Sequence, residues 1–408
     1  MNLFQLVWSY LRARPLTTAL NIFLLALGIS VITVLLLFTN QVQEKVSSNA
    51  KGIDLVVGAK GSPLQLILCS IFHLDFPTGN IKLSDAEKIV RHRLVKKAIP
   101  LALGDSYGGY RIVGTTPEYP ALYGAALETG AWWEKDLEVT LGAVAADRTG
   151  LRVGDTFTSA HGLTGDGHGH ELSQYVVVGI LQRSQKVIDN LLFTGIESVW
   201  RVHEIGEADS ITLLHPSTLV STREAGDSTL EITSLLVQYR NPLAILQLPR
   251  YVNNVGNLQA ASPAFETARL FSILGVGVDV LRGFALVLIL ISAVSIFIAL
   301  YNSLKERKYD LAIMRSMGAG RRMLFLSMIM EGAVLTLLGS VAGLLMGHSA
   351  LYAFTFLAGD SASGLDPLAF YPAEAVLLGA NLMLGICCSL LPGIQAYRTD
   401  IHRVLAGN

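Results

Sequence analysis

Histidines and carboxylates crowd into one glycine-rich run of the chain, HGLTGDGHGHELS (His161–Ser173). His161, His168 and His170 with Asp166 and Glu171 offer imidazole and carboxylate, a donor set that suits Zn²⁺ or a similar borderline metal. Gly165, Gly167 and Gly169 would let the backbone fold around an ion. They equally suit a polar hairpin tip, and the spacing matches no structural-zinc pattern. Both readings stay open. His73 with Asp75 in IFHLDFPTGN is a weaker pair and reads as structural. No order of Ser, His and Asp, or of Cys and His, supports a hydrolase.

Phosphate chemistry is missing as well. No GxxxxGK[ST] sequence occurs, and GAKGSP (Gly58–Pro63) lacks both the spacing and the Lys-Ser/Thr pair that cradle nucleotide phosphates. Cys69 is alone in the middle of the chain, while Cys387 and Cys388 are adjacent in an apolar run, so no disulfide is expected within the central segment. These absences argue against a self-sufficient enzyme. Nothing points to nucleic acid.

The elements that would position any site are set by hydropathy. Of 408 residues, 51% are hydrophobic and 15% charged, against roughly 25% charged in soluble domains, and mean hydropathy is +0.47. Four stretches carry the excess. No charged residue lies between Arg14 and Glu44, between Arg282 and Lys305, or from Ala375 to Tyr397, and Glu331 is the one formal charge from Met323 to Gly359. A bilayer core of about 30 Å needs about 20 helical residues, so each stretch can span it. Lys305, Arg307, Lys308, Arg315, Arg321 and Arg322 crowd the link between the second and third spans, whereas GDSASGLDP after the third has no basic residue. The positive-inside rule therefore puts both termini and that basic link in the cytosol. The first span reads as an uncleaved signal anchor, its apolar run being too long for a cleaved signal.

Expected boundaries follow from this pattern. Residues 1–39 form an amphipathic lead-in and the first span, and 40–278 an extracytoplasmic α+β domain. Residues 279–302 are the second span, 303–322 a cytosolic coupling helix and 323–358 the third span. A short outer loop (359–372), the fourth span (373–397) and a cytosolic tail (398–408) complete the chain. In the outer domain LSDAEKIVRHRLVKK (Leu83–Lys97) has helical periodicity, with Ser84 and Glu87 spaced as a capping box. Strands are expected at Tyr110–Gly114, Tyr175–Ile180, Ser210–Leu214 and Leu235–Tyr239, and LRVGDTF (Leu151–Phe157) reads as a turn feeding a strand. Gly339, Gly343 and Gly347 fall on one helical face, the pattern for close helix approach, with Ala26 and Ser30 of the first span as a matching small pair. Glu331 is costly in hydrocarbon. Arg321 and Arg322 lie roughly 14 Å away along a helix, so its partner is expected from another span or from the headgroup level.

The stretch ERKYDLAIMRSMGAGRRMLFLSMIMEGAVLTLLGSVAGLLM (Glu306–Met346) resembles the signature of FtsX/MacB-like ABC-transporter permeases. RARPLTTALNIFLLALGISV, VVGILQRSQKVIDNLLFTGIESVW (Val177–Trp200) and LPGIQAYRTDIHRVLAG (Leu391–Gly407) resemble other elements of the same family. The order of one span, a large outer domain and three spans is also similar. The resemblance implies a permease subunit, homodimeric or heterodimeric, that transmits ATP-driven motion from a separate cytosolic ABC ATPase to its periplasmic domain. Export or extraction of a substrate would follow, in the bacterial inner membrane. ATP would be bound on the partner subunit, and the chain alone would bind no cofactor apart from zinc if the outer loop takes it. Glu306, Arg307, Asp310, Met314 and Arg315 match the family's docking segment and would engage the ATPase, and Gly318 in RSMGAGRR would permit the break between that helix and the third span. A periplasmic adaptor, a hydrolase or a metal-binding lipoprotein would be the outer partner. The alternatives are a transmembrane regulator that activates a periplasmic protein without transport, and a zinc-linked export or sensing role.

Overall fold

The computed structural model of the chain describes residues 3–161, 169–208, 230–318, 320–358 and 365–398. The chain divides into two compact units, one of Met1–Gln43 with Ile273–Asn408 and the other of Glu44–Ser272. The helices in chain order are α1 (Leu3–Ala13), α2 (Pro15–Ala50), α3 (Pro63–Ser70), α4 (Leu83–Val90), α5 (Glu118–Leu122) and α6 (Ala143–Thr149). They continue as α7 (Ile196–Ala208), α8 (Ala244–Asn253), α9 (Pro263–Glu306), α10 (Lys308–Ser316), α11 (Arg321–Ala358) and α12 (Pro372–Arg398). Among the described residues, α2, α9, α11 and α12 are long and apolar enough to cross a membrane. One lies near the N-terminus and three follow the outer unit in sequence, in a multi-pass inner-membrane protein with cytosolic termini.

The helical unit buries one apolar seam. Val7 and Leu11 of α1 join Leu25 and Ile29 of α2, Ile289, Ile296 and Leu300 of α9, and Leu335 of α11. A smaller cluster near the cytosolic end unites Leu304, Leu324, Met328 and Ala396, with Met314 of α10 packed against it. The opposite faces of α9 and α11 stay apolar and exposed, as at Phe284, Leu290, Val294 and Leu345. Helices apolar on every side belong in lipid rather than water.

The outer unit is an α+β fold on one mixed sheet. Its strands are β1 (Leu55–Ala59), β2 (Ile81–Lys82), β3 (Val95–Tyr107), β4 (Tyr110–Thr115), β5 (Leu127–Gly130), β6 (Glu138–Leu141) and β7 (Thr156–His161). The rest are β8 (Gly169–Leu181), β9 (Leu191–Thr194), β10 (Glu231–Ile232), β11 (Ser234–Tyr239) and β12 (Leu258–Ala261). The order across the sheet is β12-β1-β11-β3-β4-β9-β6-β8-β5, with β7 against β3 and β8, and β10 pairs β2 separately. Both faces are covered. In β1, Val56 points into the cluster with Ile67, Tyr119 and Phe193, while Leu55 and Val57 point into the one with Ile89 and Leu248. The strand LVVGA is buried throughout for this reason, the reading expected of a strand covered on both sides.

Three local expectations fare differently. Helix α4 stops at Val90 rather than Lys97, and β3 begins at Val95. The segment VKKAIPLAL is claimed by cross-strand pairing with β11 and β4, which outweighs a weak local helical preference. Ser84 is not the cap either, since the helix starts at Leu83 with Lys82 at the cap position and no side-chain cap bond. Strands do occur over Tyr110–Gly114, Tyr175–Ile180 and Leu235–Tyr239. Ser210–Leu214 lies outside the described residues.

Candidate functional site

The basic link between the second and third spans folds as two turns around one short helix. Helix α9 runs through Glu306, the chain turns at Arg307 (φ −97°, ψ 9°), and α10 follows. Gly318 then adopts φ +102° before α11. That region is strained for residues with a Cβ, which accounts for glycine in RSMGAGRR. A Cβ on Gly318 would meet no atom within 4 Å, so the constraint is torsional and not one of space.

Arg307 is the centre of the site. Its side chain is buried, with Nη1 3.7 Å from Glu331 Oε2 on α11 and both groups less than a tenth exposed. The guanidinium carbon lies 3.7 Å from the centre of the Tyr10 ring, and Nη2 donates to the Tyr10 carbonyl at 3.4 Å. One cation thus joins α1, the α9–α10 turn and α11. Burying Glu331 alone would cost several kcal/mol, roughly 3–5, and the guanidinium offsets that cost by charge and the ring by its π-face. Glu331 therefore finds its partner on another helix, at the cytosolic end. Tyr10 also reaches Met314, its hydroxyl 3.9 Å from the sulfur, and Glu306 pairs with Arg14 just before α2.

The expected docking set divides accordingly. Arg307 and Met314 turn inward, Glu306 is held by Arg14, and Asp310 and Arg315 fall within α10. The apolar residues that the described part of α10 and the turn after it present outward include Tyr309, Ile313 and Met317, the last 83% exposed. These apolar groups recur every fourth residue on one helical face, a pattern present in the sequence but not singled out there.

The glycine stripe lies against α2. A Cβ on Gly339 would come 2.8 Å from Leu25 Cδ2, one on Gly343 2.8 Å from the Ala26 carbonyl oxygen, and one on Gly347 3.2 Å from the Ser30 carbonyl oxygen. The helices approach backbone to backbone along this line, with Ala26 and Ser30 in it. A second close approach joins α11 to α12, where a Cβ on Gly332 would lie 2.9 Å from the Gly385 carbonyl oxygen and one on Gly385 2.3 Å from Thr336 Oγ1. The sequence spacing gave no hint of that pair.

In the outer unit His73 is buried, with Nε2 2.8 Å from the Tyr119 hydroxyl. Burial first, and then the nearby Arg111 cation, pull its pKa down to about 3, so it is a neutral core residue. Burial pushes the Cys69 thiol up, and Arg111 donates to its sulfur at 3.5 Å. Neither group is set up for catalysis. Strands β7 and β8 pair as a hairpin with Ala160 opposite Gly169. Residues 162–168 between them lie outside the described residues, as do the side chains of His161, His170 and Glu171. Among the described residues no group of three or more His, Cys, Asp or Glu could hold a metal.

Residues 18–239 match the MacB-like periplasmic core domain, and residues 282–401 match the FtsX-like permease C-terminal family. No curated protein matches the chain. Among solved structures, the periplasmic region of MacB from Actinobacillus actinomycetemcomitans is similar at 13% identity and a TM-score of 0.32, covering 55% of this chain and 97% of its own. The extracellular domain of the noncanonic ABC-type transporter YknZ from Gram-positive bacteria is similar at 11% identity and a TM-score of 0.29, covering 52% and 99%.

Proposed function

Because this chain belongs to the family of permeases with a MacB-like periplasmic core domain and an FtsX-like C-terminal part, we propose that it is the mechanical subunit of an ABC-type system. It passes the motion of a separate cytosolic ATPase to its outer unit, which acts on a substrate at or beyond the outer leaflet. The chain itself carries no nucleotide-binding motif. The family's dimer, in which two permease subunits meet two ATPases, comes with this reading.

The observation that carries it is α10, a short helix isolated by turns at Arg307 and Gly318, exposing Tyr309, Ile313 and Met317. That stripe is the surface an ATPase groove would grip, in place of the inward-facing Arg307 and Met314. A push on α10 reaches Arg307, and through it Tyr10 on α1 and Glu331 on α11. The glycine seam then passes the displacement from α11 to α2 by backbone contact. Tightly packed contacts of this kind transmit small shifts because they tolerate few alternative arrangements.

The test is co-purification with a candidate ABC ATPase from the same organism, followed by ATP turnover in nanodiscs. The permease alone should hydrolyse no ATP. Ile313→Glu with Met317→Glu should release the ATPase or abolish permease-dependent turnover, with membrane insertion intact. Gly318→Trp should uncouple turnover from outer-unit function through backbone strain. Unchanged binding and coupled function in both variants would exclude α10 as the transmission element.

A further inference from the structure

At the outer end of the helical unit, His348 of α11 is held between two acceptors. Its Nδ1 lies 2.6 Å from the Pro367 carbonyl oxygen and its Nε2 3.0 Å from Glu374 Oε2 on α12. Glu374 is fully buried, and its other oxygen accepts the Tyr371 N–H at 3.0 Å. The same segment is tied to α2, where Gln41 donates to the Asp366 carbonyl at 2.9 Å and accepts the Asp366 N–H at 2.7 Å.

The geometry demands a count of protons. A carbonyl oxygen can only accept, so Nδ1 must carry hydrogen. The contact between Nε2 and Oε2 needs one more, on either atom. The cluster is therefore imidazolium with carboxylate or neutral imidazole with carboxylic acid, and both forms hold two protons. With one proton, the bare Nε2 lone pair would face a buried carboxylate, and that contact becomes repulsive. We propose that His348 and Glu374 form a proton-operated latch that fastens the segment 366–374 across the outer ends of α2, α11 and α12, closed with two protons and released with one.

Other groups around the latch do not supply this behaviour. Gln41, the contact from α2, does not titrate, and Glu44 and Lys45 are the charged residues that follow it on that helix. Asp366 uses its carboxylate on the Leu368 N–H at 2.9 Å. On α9, Asp279 and Arg282 pair with each other. Tyr371 reaches Glu374 through its backbone. The sign follows from the count. An opened segment also holds two protons below about pH 6.5, the ordinary histidine range, so opening is insensitive to pH there. Above that range opening releases one proton, and the open population rises roughly tenfold per pH unit. The latch would make the outer end of the spans responsive to the pH of the compartment it faces.

Backbone hydrogen exchange on the full chain in nanodiscs tests this, following the peptide 366–374 between about pH 5 and pH 9 with intrinsic exchange rates divided out. Protection should be level on the acid side and fall roughly tenfold per unit on the alkaline side. Glu374→Gln supplies an amide N–H to a neutral Nε2, so that variant should stay protected on the alkaline side and lose protection roughly tenfold per unit below about pH 6.5, the reverse of wild type. His348→Gln should remove the pH response. A flat wild-type profile, or a wild-type pH response retained in Glu374→Gln, would overturn the latch. Because Glu374→Gln keeps the contact, a fault in folding of the histidine variant leaves the test decisive.

Discussion

Arg307 with Glu331 in the helical unit and His73 with Tyr119 in the outer unit are both buried polar pairs, yet they meet the cost of desolvation by opposite means. Arg307 cannot shed its proton, so its charge is met by a carboxylate, a ring face and a carbonyl drawn from two other elements. His73 can shed its proton and does, becoming a neutral residue against Tyr119, whose ring in turn meets Tyr123 and Phe193. The first arrangement ties helices together and fixes their register. The second fills a core. On the proposed function, the buried charge lies on the path of the relayed motion.

The largest effect should come from breaking the charged pair. Arg307→Ala leaves Glu331 buried without a cation and should destabilise the helical unit by roughly 3–5 kcal/mol, read by thermal unfolding in nanodiscs. Arg307→Met with Glu331→Leu should recover most of that stability while permease-dependent ATP turnover stays lost. Recovery of turnover as well would mean that the pair is packing alone, and the contrast with His73 would collapse.

Next in size is the seam that would carry the relayed motion. Gly343→Leu places a side chain where even a Cβ is 2.8 Å from the Ala26 carbonyl, and overpacking of this kind costs about 3 kcal/mol. Leu345→Ile, at a position 64% exposed, should cost under about 0.5 kcal/mol. Equal effects from the two, in the same unfolding assay, would leave the glycine line without a packing role.

The neutral pair makes a pH prediction of the opposite sign to that of a salt-bridged histidine. The folded pKa of His73 is about 3, below the ordinary 6.5, so the unfolded chain takes up the proton first as pH falls. The stability contribution is whole above about pH 6.5 and is lost progressively down to about pH 3, with roughly 2 kcal/mol gone at pH 5. Unfolding of the outer unit at pH 7 and pH 5, in wild type and His73→Gln, measures it. The glutamine variant should show a shallower acid slope, and an identical slope would place the acid sensitivity elsewhere.

Apart from the Leu345→Ile control, the smallest effect on stability belongs to Gly318. Gly318→Ala forces a Cβ into the φ +102° region with no atom to collide with, a cost of about 1–2 kcal/mol confined to the turn. Unfolding temperature should drop by only a few degrees, about 2–4 °C per kcal/mol, while coupled turnover falls. If Gly318→Trp were much worse than Gly318→Ala, a steric contact with the ATPase, and not the torsion, would be the cause.

What the amino-acid order settled alone is what depends on composition and local spacing. The four spans, the inside termini, the lack of a phosphate-binding loop and the close-packing glycines of α11 were legible because lipid, charge asymmetry and helical periodicity act within a few turns of chain. The glycine at the turn into α11 was legible for the same reason. Partnership across the chain was not. Arg307 looked like a docking charge for the ATPase, and only packing put it between Tyr10 and Glu331. His348 and Glu374 passed unremarked, since nothing near either in sequence says that two helices and a carbonyl converge there. Likewise Val95–Lys97 looked helical until β11 supplied its neighbours. A buried polar group is stable only with a partner, and which partner it meets is decided by how distant segments pack, a property that no single stretch of sequence holds.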